Sequence, residues 1–352
     1  MSSEAAAARL SPAPTALPSQ AYALLISGTF NPPHRAHLQL GLRAAAALEA
    51  EGHTVLSLWF VPVHDNYLHN KLSASAGPSV VFPIEARCAL LRTLLEAEEP
   101  AAAARCHVAD YEGEHASALL APSPHYWAAR LPAAYLRTVP TMALLHHFAA
   151  DEARLGGARV AAVFGIDNLA AMSTWNAPER LLARADLLFV ARRMATVAFA
   201  RDPAALLRAI RRVEVRTAVP VVFGEELLFG GEVGSFVAPS DGEAEAGGVL
   251  FCLPALEGED EGLSSTAMRG CLETLWRWGC ESAEAVARIA EAQAGTPAEE
   301  EVNQSLSVLR KHGYSGGSLT ALLRAGMNTA ATLERIYNAA VSRGEVVVPH
   351  PS

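Results

Sequence analysis

Two segments of the sequence combine residue types that could bind phosphate groups, and the first is residues 27–37, SGTFNPPHRAH. Its histidines, His34 and His37, stand three residues apart, a spacing that places two side chains on one side of a helix. The N–H groups and the positive field at a helix start attract phosphate. Imidazole N–H groups there could stabilise charge that develops in a transition state. A helix start that the histidines merely cap and pack is the structural alternative.

The second segment is residues 262–269, GLSSTAMR. Ser264, Ser265 and Thr266 predict the cap of another helix, whose free amides and hydroxyls could also contact phosphate. Arg269 follows about one turn later, where its planar guanidinium could bind the same phosphates through two parallel hydrogen bonds. Taken alone, this pattern is also that of an ordinary helix cap followed by an exposed arginine.

These segments need a scaffold that ends strands and starts helices along one edge. From residue 21 to about 280, short apolar runs alternate with helical patterns, which is typical of a parallel sheet covered on both faces. We therefore predict an α/β fold with a doubly wound parallel sheet, in which ligands bind beyond the carboxyl ends of the strands. The predicted strands are Ala21–Ser27, Val55–Val63, Arg105–Tyr111, Arg159–Phe164, Leu187–Ala191, Val219–Phe223 and Val249–Leu253. The predicted helices are His37–Glu49, Ile84–Glu98, Thr141–Ala153, Glu281–Ala294, Val302–His312 and Thr329–Arg343.

The first segment resembles the signature G-[ST]-F-N-P-x-[HT]-x-x-H of the nicotinamide/nicotinate mononucleotide adenylyltransferases, a family of the nucleotidyltransferase superfamily. The pair Asn31-Pro32 favours this branch, because cytidylyltransferase and phosphopantetheine adenylyltransferase relatives usually carry an aspartate where Asn31 stands. The second segment is similar to the family signature I-S-S-T-x-x-R. The resemblance extends over residues 21–279 and weakens in 113–139 and 200–248, and we do not find the family's V-x-x-Y-I-type ending.

The resemblance implies a Rossmann-like nucleotidyltransferase fold and a set of functional residues. It assigns catalysis to His34, His37 and Arg269. No metal site made by the protein is expected, since Mg²⁺ would arrive bound with ATP. ATP and its phosphates would be bound by Gly28, Thr29, Phe30, His34, His37, Gly165, Asp167, Ser264, Ser265, Thr266 and Arg269. The mononucleotide would be bound by Phe30, Asn31, Lys71, Tyr111 and Trp175.

Five of these residues lie between the two signatures, and Gly165 is one of them, in the same segment as Asp167. Lys71 follows PVHDNY, which is similar to the family's P-V-x-D-x-Y…K, and its compact charge suits a mononucleotide phosphate; a solvated surface lysine is the alternative. Tyr111 stands in D-Y-E, where relatives have D-x-W-E with a tryptophan that stacks on the pyridine ring. Asp167 belongs to a G-x-D segment, which in the family contacts the ATP sugar. A carboxylate at a strand end can accept hydrogen bonds from ribose hydroxyls. Trp175 corresponds to a tryptophan that stacks on the pyridine ring, with core packing as the alternative.

Three further stretches carry basic residues, and the first two of them match the family less specifically. Arg87 stands at a helix start where the family has a basic residue. His146 and His147 follow a matching helix start and are interpreted as structural. Arg192 or Arg193, beyond a predicted strand, could add a phosphate contact, or both could be solvated.

The leading hypothesis is adenylyl transfer from MgATP to nicotinamide or nicotinate mononucleotide, which forms NAD or its deamido form and pyrophosphate. The sequence contains no serine or cysteine nucleophile motif, so catalysis would depend on positioning and charge stabilisation. One alternative is a nucleotidyltransferase for another phosphorylated metabolite, and another is a catalytically silent nucleotide-binding regulator or chaperone. The preference between amide and acid mononucleotide and the formation of a homo-oligomer are left open.

Charge and composition exclude several functional classes. The chain has 352 residues and a formal net charge of −9, which argues against a broad nucleic-acid-binding face. No apolar run approaches the ~18–20 residues of a membrane span, so a membrane is not an expected partner. We expect an intracellular protein, cytoplasmic or nuclear, without disulfides or a zinc site, because the cysteines are odd in number and widely spaced without C-x-x-C. They are Cys88, Cys106, Cys252, Cys271 and Cys280.

Composition also suggests how the chain is divided. Residues 1–20, rich in Ala, Ser and Pro, are predicted to be a disordered tail, with a transit peptide as the alternative. Residues 21–280 would form the nucleotidyltransferase domain and residues 281–352 a helical C-terminal extension. The segments 113–137 and 230–248 are expected to be insertions, the second of them a mobile, glycine-rich surface loop.

Overall fold

We describe the fold from a computed structural model of the chain. The described residues are 19–73, 80–122, 137–172, 181, 185–191, 197–198, 214–217, 221–223, 226–229, 235–237, 249–253 and 264–326. The predicted N-terminal tail lies outside these ranges except for residues 19–20, and the predicted helix Thr329–Arg343 lies outside them entirely.

The strands of the described residues form one large sheet and two small ones. The large sheet has eight strands in the order β12-β9-β13-β7-β6-β1-β2-β3, all parallel to their neighbours except β12, which pairs antiparallel with β9. The small sheets are β11-β10-β8 and the hairpin β4-β5. The bounds are β1 Ala21–Gly28, β2 Thr54–Pro62, β3 Cys106–Val108, β4 Ala121–Pro122, β5 Arg137–Thr138, β6 Arg159–Gly165, β7 Asp186–Val190, β8 Val197–Ala198, β9 Glu214–Thr217, β10 Val221–Phe223, β11 Glu226–Phe229, β12 Ser235–Val237 and β13 Val249–Leu253.

Helices cover the large sheet on both faces. Their bounds are α1 Arg35–Ala50, α2 Asp65–Ser73, α3 Ile84–Glu98, α4 Tyr111–Glu114, α5 Ala116–Leu119, α6 Thr141–Ala149, α7 Glu152–Leu155, α8 Asp167–Ala171, α9 Ser265–Arg277, α10 Ala283–Ala292 and α11 Pro297–Lys311, followed by α12, residues 316–326. Among the helices of the described residues, none has the length and apolar character needed to cross a membrane.

The central strand β1 shows why both faces are covered. Leu24 and Ile26 point to one face, where they pack with α1, α3 and the helices α9 to α12. Ala23 and Leu25 point to the other face, where α4 and α6 to α8 contribute the apolar partners. A strand that is apolar on both faces is shielded from water only when helices cover the sheet on both sides. The doubly wound α/β fold predicted from the sequence is confirmed.

Two expectations about the second half of the chain need correction. The run Val219–Phe223 was expected in the large sheet, but β10 belongs to a small sheet, and β9 occupies a place in the large sheet instead. The β9 sequence, EVRT, is too polar to be noticed as a buried strand, yet a strand near a sheet edge needs few apolar residues. Within the expected loop 230–248, the residues of β12 pair with β9; the rest of that segment lies outside the described residues.

Candidate active site

The loop after β1 and the start of α9 are in direct contact, although 233 residues separate the contacting groups in the chain. The hydroxyl of Ser265 donates to the carbonyl oxygen of Pro32 (Oγ···O 2.8 Å). The Arg269 guanidinium donates to the carbonyl oxygen of Asn31 (Nη1···O 2.6 Å). The loop that precedes α1 and the start of α9 are therefore held side by side, and each helix start carries the positive end of a helix dipole.

The two histidines of the first segment are coupled at the start of α1. His34 is the residue before the helix, in extended backbone geometry, and its N–H donates to Nδ1 of His37 (3.1 Å). Because Nδ1 of His37 accepts this bond, the proton of the neutral ring lies on Nε2, which makes Nε2 the donor of this ring. The rings lie 3.8 Å apart between centroids, and the edge of Phe30 packs against His37 at 5.0 Å.

Burial distinguishes the two histidines. His34 is 1% exposed, whereas His37 is partly exposed. A ligand phosphate can therefore reach His37 directly, while a contact to His34 requires its ring to become accessible. The structure brings the predicted catalytic pair together but presents one member of it to solvent.

The second segment caps α9 as predicted. The hydroxyl of Ser264 accepts from the N–H of Ala267 (3.1 Å), which marks Ser264 as the N-cap. Arg269 donates to the hydroxyl of Thr266 (Nη2···Oγ1 3.1 Å) as well as to the loop after β1. Partial burial lowers the pKa of Arg269, and the charge of Glu273 opposes this. The guanidinium is thus held between both segments and presents its charge beside the exposed Thr266.

Lys71 and Asp167 belong to the same electrostatic environment as Arg269. Asp167 is exposed at the start of α8, beyond Gly165, the last residue of β6, and β6 is the neighbour of β1. Lys71 is exposed in the last turn of α2. Partial desolvation of the ammonium group lowers the pKa of Lys71. The charge of Asp167 opposes this effect, and the charge of Arg269 adds to it. Lys71 therefore lies within interaction range of two other predicted ligand-binding charges, which come from distant chain segments.

The interior of the loop after β1 is used for packing. Phe30 is 1% exposed at a positive φ of 44°, and a Cβ at Gly28 would lie 3.1 Å from its ring, so the absence of a side chain at Gly28 makes room for it. The Asn31 amide donates to the carbonyl oxygen of Val80 (2.8 Å) and its oxygen accepts from the N–H of Phe82 (2.8 Å). The Asn31 side chain thus joins the loop after β1 to residues 80–82 through both of its polar atoms. Its contact to the mononucleotide stays a prediction.

Tyr111 occupies a different environment from the one its predicted stacking role requires. Its side chain is 0% exposed, and its hydroxyl is hydrogen-bonded to Nδ1 of His147 (2.7 Å). His115 and Phe148 pack against the ring edge-on. Stacking on a ligand ring would require Tyr111 to leave this position, whereas the structural interpretation of His147 agrees with the contact that it makes.

Of the remaining predicted contacts, one residue lies in the described part of the chain and three lie outside it. Thr29 is partly exposed, and its carbonyl oxygen accepts from Arg87 (Nη1···O 2.9 Å). Trp175, Arg192 and Arg193 lie outside the described residues. In the part of the chain that the structure describes, no three His, Cys, Asp or Glu side chains form a group that could hold a metal ion.

The sequence did not identify three residues that support the site. Arg87 was noted only as a basic residue at a helix start, but its side chain is fully buried among the loops after β1 and β2. Glu112 is buried and accepts from the N–H of His64 (2.7 Å). His312 contacts the starts of both α1 and α9. The position of Arg87 on an otherwise apolar helix face could have indicated from the sequence that its side chain is buried. No feature of the sequence indicated the contacts of His312.

The assembled groups suit a polyphosphate ligand. Hydrogen bonds join the segments of two helix starts, which carry an imidazole and a guanidinium, and a lysine lies within electrostatic range of that guanidinium and of a carboxylate. Such groups can hold phosphate oxygens and stabilise negative charge that develops on them, and none of them is arranged as an activated nucleophile.

One family model matches most of the chain, and solved structures resemble it distantly. Residues 25–269 match the family model described as cytidylyltransferase-like. Among solved structures, Plasmodium falciparum nicotinic acid mononucleotide adenylyltransferase complexed with NaAD is 13% identical, with a TM-score of 0.39 over 72% of this chain and 84% of that one. A putative nicotinate-nucleotide adenylyltransferase from Vibrio parahaemolyticus is 14% identical, with a TM-score of 0.31 over 55% of this chain and 82% of that one. No protein with a curated description matches the sequence significantly.

Proposed function

We propose, from the premise that the chain belongs to the cytidylyltransferase-like family, that it transfers the adenylyl group of ATP to nicotinamide or nicotinate mononucleotide. The observation that carries the proposal is the direct contact between the H-x-x-H loop and the S-S-T-x-x-R helix through Arg269 and Ser265. It supports the proposal because both helix starts and His37 belong to the two segments that it joins, and helix starts favour phosphate.

In the proposed reaction, a phosphate oxygen of the mononucleotide attacks the α-phosphorus of ATP in line. A new P–O bond forms, the bond between the α-phosphorus and the bridging oxygen breaks, and pyrophosphate leaves with the electron pair. Mg²⁺ enters with ATP as part of the substrate and bridges its phosphate oxygens. Since both reactants bring their own reacting groups, the protein contributes positioning and charge stabilisation.

The charged and hydrogen-bonding groups of the candidate site have the following parts in this reaction. The Nε2–H of His37 donates to an oxygen of the α- or β-phosphate, and the start of α9 with Arg269 binds the β- and γ-phosphates. Asp167 accepts from the ribose of ATP. Lys71, within electrostatic range of Asp167, binds the phosphate of the mononucleotide and brings the attacking oxygen into line.

A second candidate is transfer to another phosphorylated acceptor. It is favoured by the burial of Tyr111 and Asn31, because neither side chain offers a contact to a pyridine ring in this conformation. The same groups would bind the nucleoside triphosphate in both reactions, so the two candidates differ only in the acceptor.

The test is an assay of the full chain with MgATP or MgCTP, each paired with nicotinamide mononucleotide, nicotinate mononucleotide or other phosphorylated acceptors. We expect pyrophosphate release and dinucleotide formation with ATP and a pyridine mononucleotide. His37→Ala is expected to lower kcat about 10²–10³-fold, as for the loss of one preorganised donor, with an unchanged circular dichroism spectrum.

His146→Ala is the matched control, since His146 is an exposed histidine on α6 outside the site. It should retain wild-type turnover. Near-normal dinucleotide synthesis by the His37 variant would contradict the assigned role, and turnover only with another acceptor would replace the first candidate by the second.

A further inference from the structure

The turn that follows α11 connects the C-terminal helices to both phosphate-binding segments. His312 is the C-cap residue of α11 and is 2% exposed. Gly313 follows with a φ of +98°, and a Cβ there would lie 3.0 Å from Leu94 of α3. Both the positive φ and this close approach favour glycine at the position. The turn therefore packs closely against α3.

The first connection runs to the start of α1. The carbonyl oxygen of His312 accepts from the N–H of Arg35, the first residue of α1 (3.1 Å). Two residues further, the buried hydroxyl of Tyr314 donates to the carbonyl oxygen of Pro33 (2.8 Å). The edge of the His312 ring also packs against His34, with 5.5 Å between centroids.

The second connection runs to the start of α9. Nε2 of His312 accepts from the N–H of Ser264, the residue that caps this helix (2.9 Å). Nδ1 of the same ring lies 2.7 Å from the carbonyl oxygen of Val308, which can only accept, so Nδ1 carries the proton and Nε2 the lone pair. One imidazole in one tautomer therefore satisfies both bonds.

We propose that His312 is a positioning residue for nucleotide binding, which holds the starts of α1 and α9 at the separation that the triphosphate requires. Its carbonyl oxygen fixes one helix start and its ring the other. The inference rests on the proposed function, since it assumes that both helix starts bind phosphate, and it extends the ATP site to the C-terminal helices. Burial lowers the pKa of His312, which is consistent with the neutral ring that accepting from Ser264 requires.

The test compares His312→Ala, His312→Asn and His312→Gln in the full chain. MgATP affinity is measured by isothermal titration, and KM is determined for each substrate. Loss of the acceptor leaves a partly buried N–H of Ser264 unsatisfied, so His312→Ala should weaken MgATP binding and raise its KM about tenfold, with the KM of the mononucleotide changed less than about twofold. A glutamine amide oxygen can reach the place of Nε2 and should restore MgATP affinity to within about threefold of wild type, whereas the shorter asparagine should not.

Val302→Ala controls for general destabilisation of α11. Val302 is fully buried near the opposite end of this helix, so its truncation removes packing but keeps both connections of His312. It should lower the melting temperature without a selective change in MgATP affinity. Wild-type MgATP affinity in His312→Ala, or the same selective loss in Val302→Ala, would overturn the proposal.

The asparagine and glutamine variants decide the question even if the alanine variant does not fold, because equal MgATP affinities in these two overturn it. A wild-type chain that binds MgATP but forms no dinucleotide contradicts the proposed reaction and leaves the affinity comparison in force. A wild-type chain with no measurable affinity for MgATP overturns both.

Discussion

Glu112 is a single residue whose charge state is controlled by its surroundings. It is 2% exposed, and burial raises the pKa of its carboxyl group to about 8, against the opposing effects of the His64 N–H and the charge of Arg87. The nearby Tyr67 also has a raised pKa, caused first by burial and then by the charge of Glu112. A carboxyl group next to the loop after β2 is therefore largely protonated at neutral pH.

This pKa predicts how stability depends on pH. In the unfolded chain the carboxyl releases its proton near pH ~4.3, whereas in the folded chain it keeps it up to about pH 8. The contribution of Glu112 to stability is thus complete below the unfolded value and is lost as pH rises through this window, by at most ~1.4 kcal/mol per pH unit. Glu112→Gln keeps an acceptor for His64 but does not ionise, so we expect a shallower decline between about pH 5 and pH 8.

The measurement is urea unfolding of both proteins at several pH values in this window. Glu114→Gln, an exposed position in the same helix, controls for the loss of a negative charge. Parallel curves of unfolding free energy against pH for wild type and Glu112→Gln would contradict the assignment.

At the scale of elements, Arg87 connects α3 to the loops that carry the site. Its Nε donates to the carbonyl oxygen of Phe82 (2.9 Å), and Nη1 donates to that of Thr29 (2.9 Å). Nη2 donates to the carbonyl oxygen of Val63 (2.7 Å) and to the carboxylate of Asp65 (2.5 Å). A planar guanidinium can satisfy four acceptors in fixed directions, and the point charge of a lysine cannot.

Arg87→Met should therefore destabilise the protein by about 3–5 kcal/mol, because it leaves Asp65 and three carbonyl groups without their buried partner. Arg87→Lys should recover only a minor part. Arg92→Met, at an exposed position of the same helix with a single hydrogen bond to Val108, should cost about 0.5 kcal/mol or less. Urea unfolding measures all three, and a similar cost at positions 87 and 92 would exclude the role given to Arg87.

At the scale of the whole molecule, the C-terminal helices are part of the same core as the sheet. Val286, Val302, Tyr314 and Leu322 are fully buried in the cluster that also contains Leu24 of β1. Each fully buried aliphatic side chain contributes about 1.5–3 kcal/mol. A few of them together equal the total stability of a typical domain, about 5–15 kcal/mol.

We accordingly expect a chain that ends at residue 280 to lose cooperative unfolding, since it would expose the faces of α3 and α9 that α10 to α12 cover. Thermal unfolding followed by circular dichroism checks this, with the full chain as the reference. A shortened chain with the wild-type melting temperature would show that residues 281–352 form a separate unit, as their composition suggested.

The sequence by itself determined the local features of this protein. Continuous apolar runs fixed the central strands, and residue types at helix starts identified His37 and Arg269, because such patterns depend on neighbours within a few positions. Only the tertiary structure decided that His34, Asn31 and Tyr111 turn inward and that His312 reaches both helix starts. Burial and contacts across more than 200 residues depend on how complete elements pack, and no local pattern encodes that.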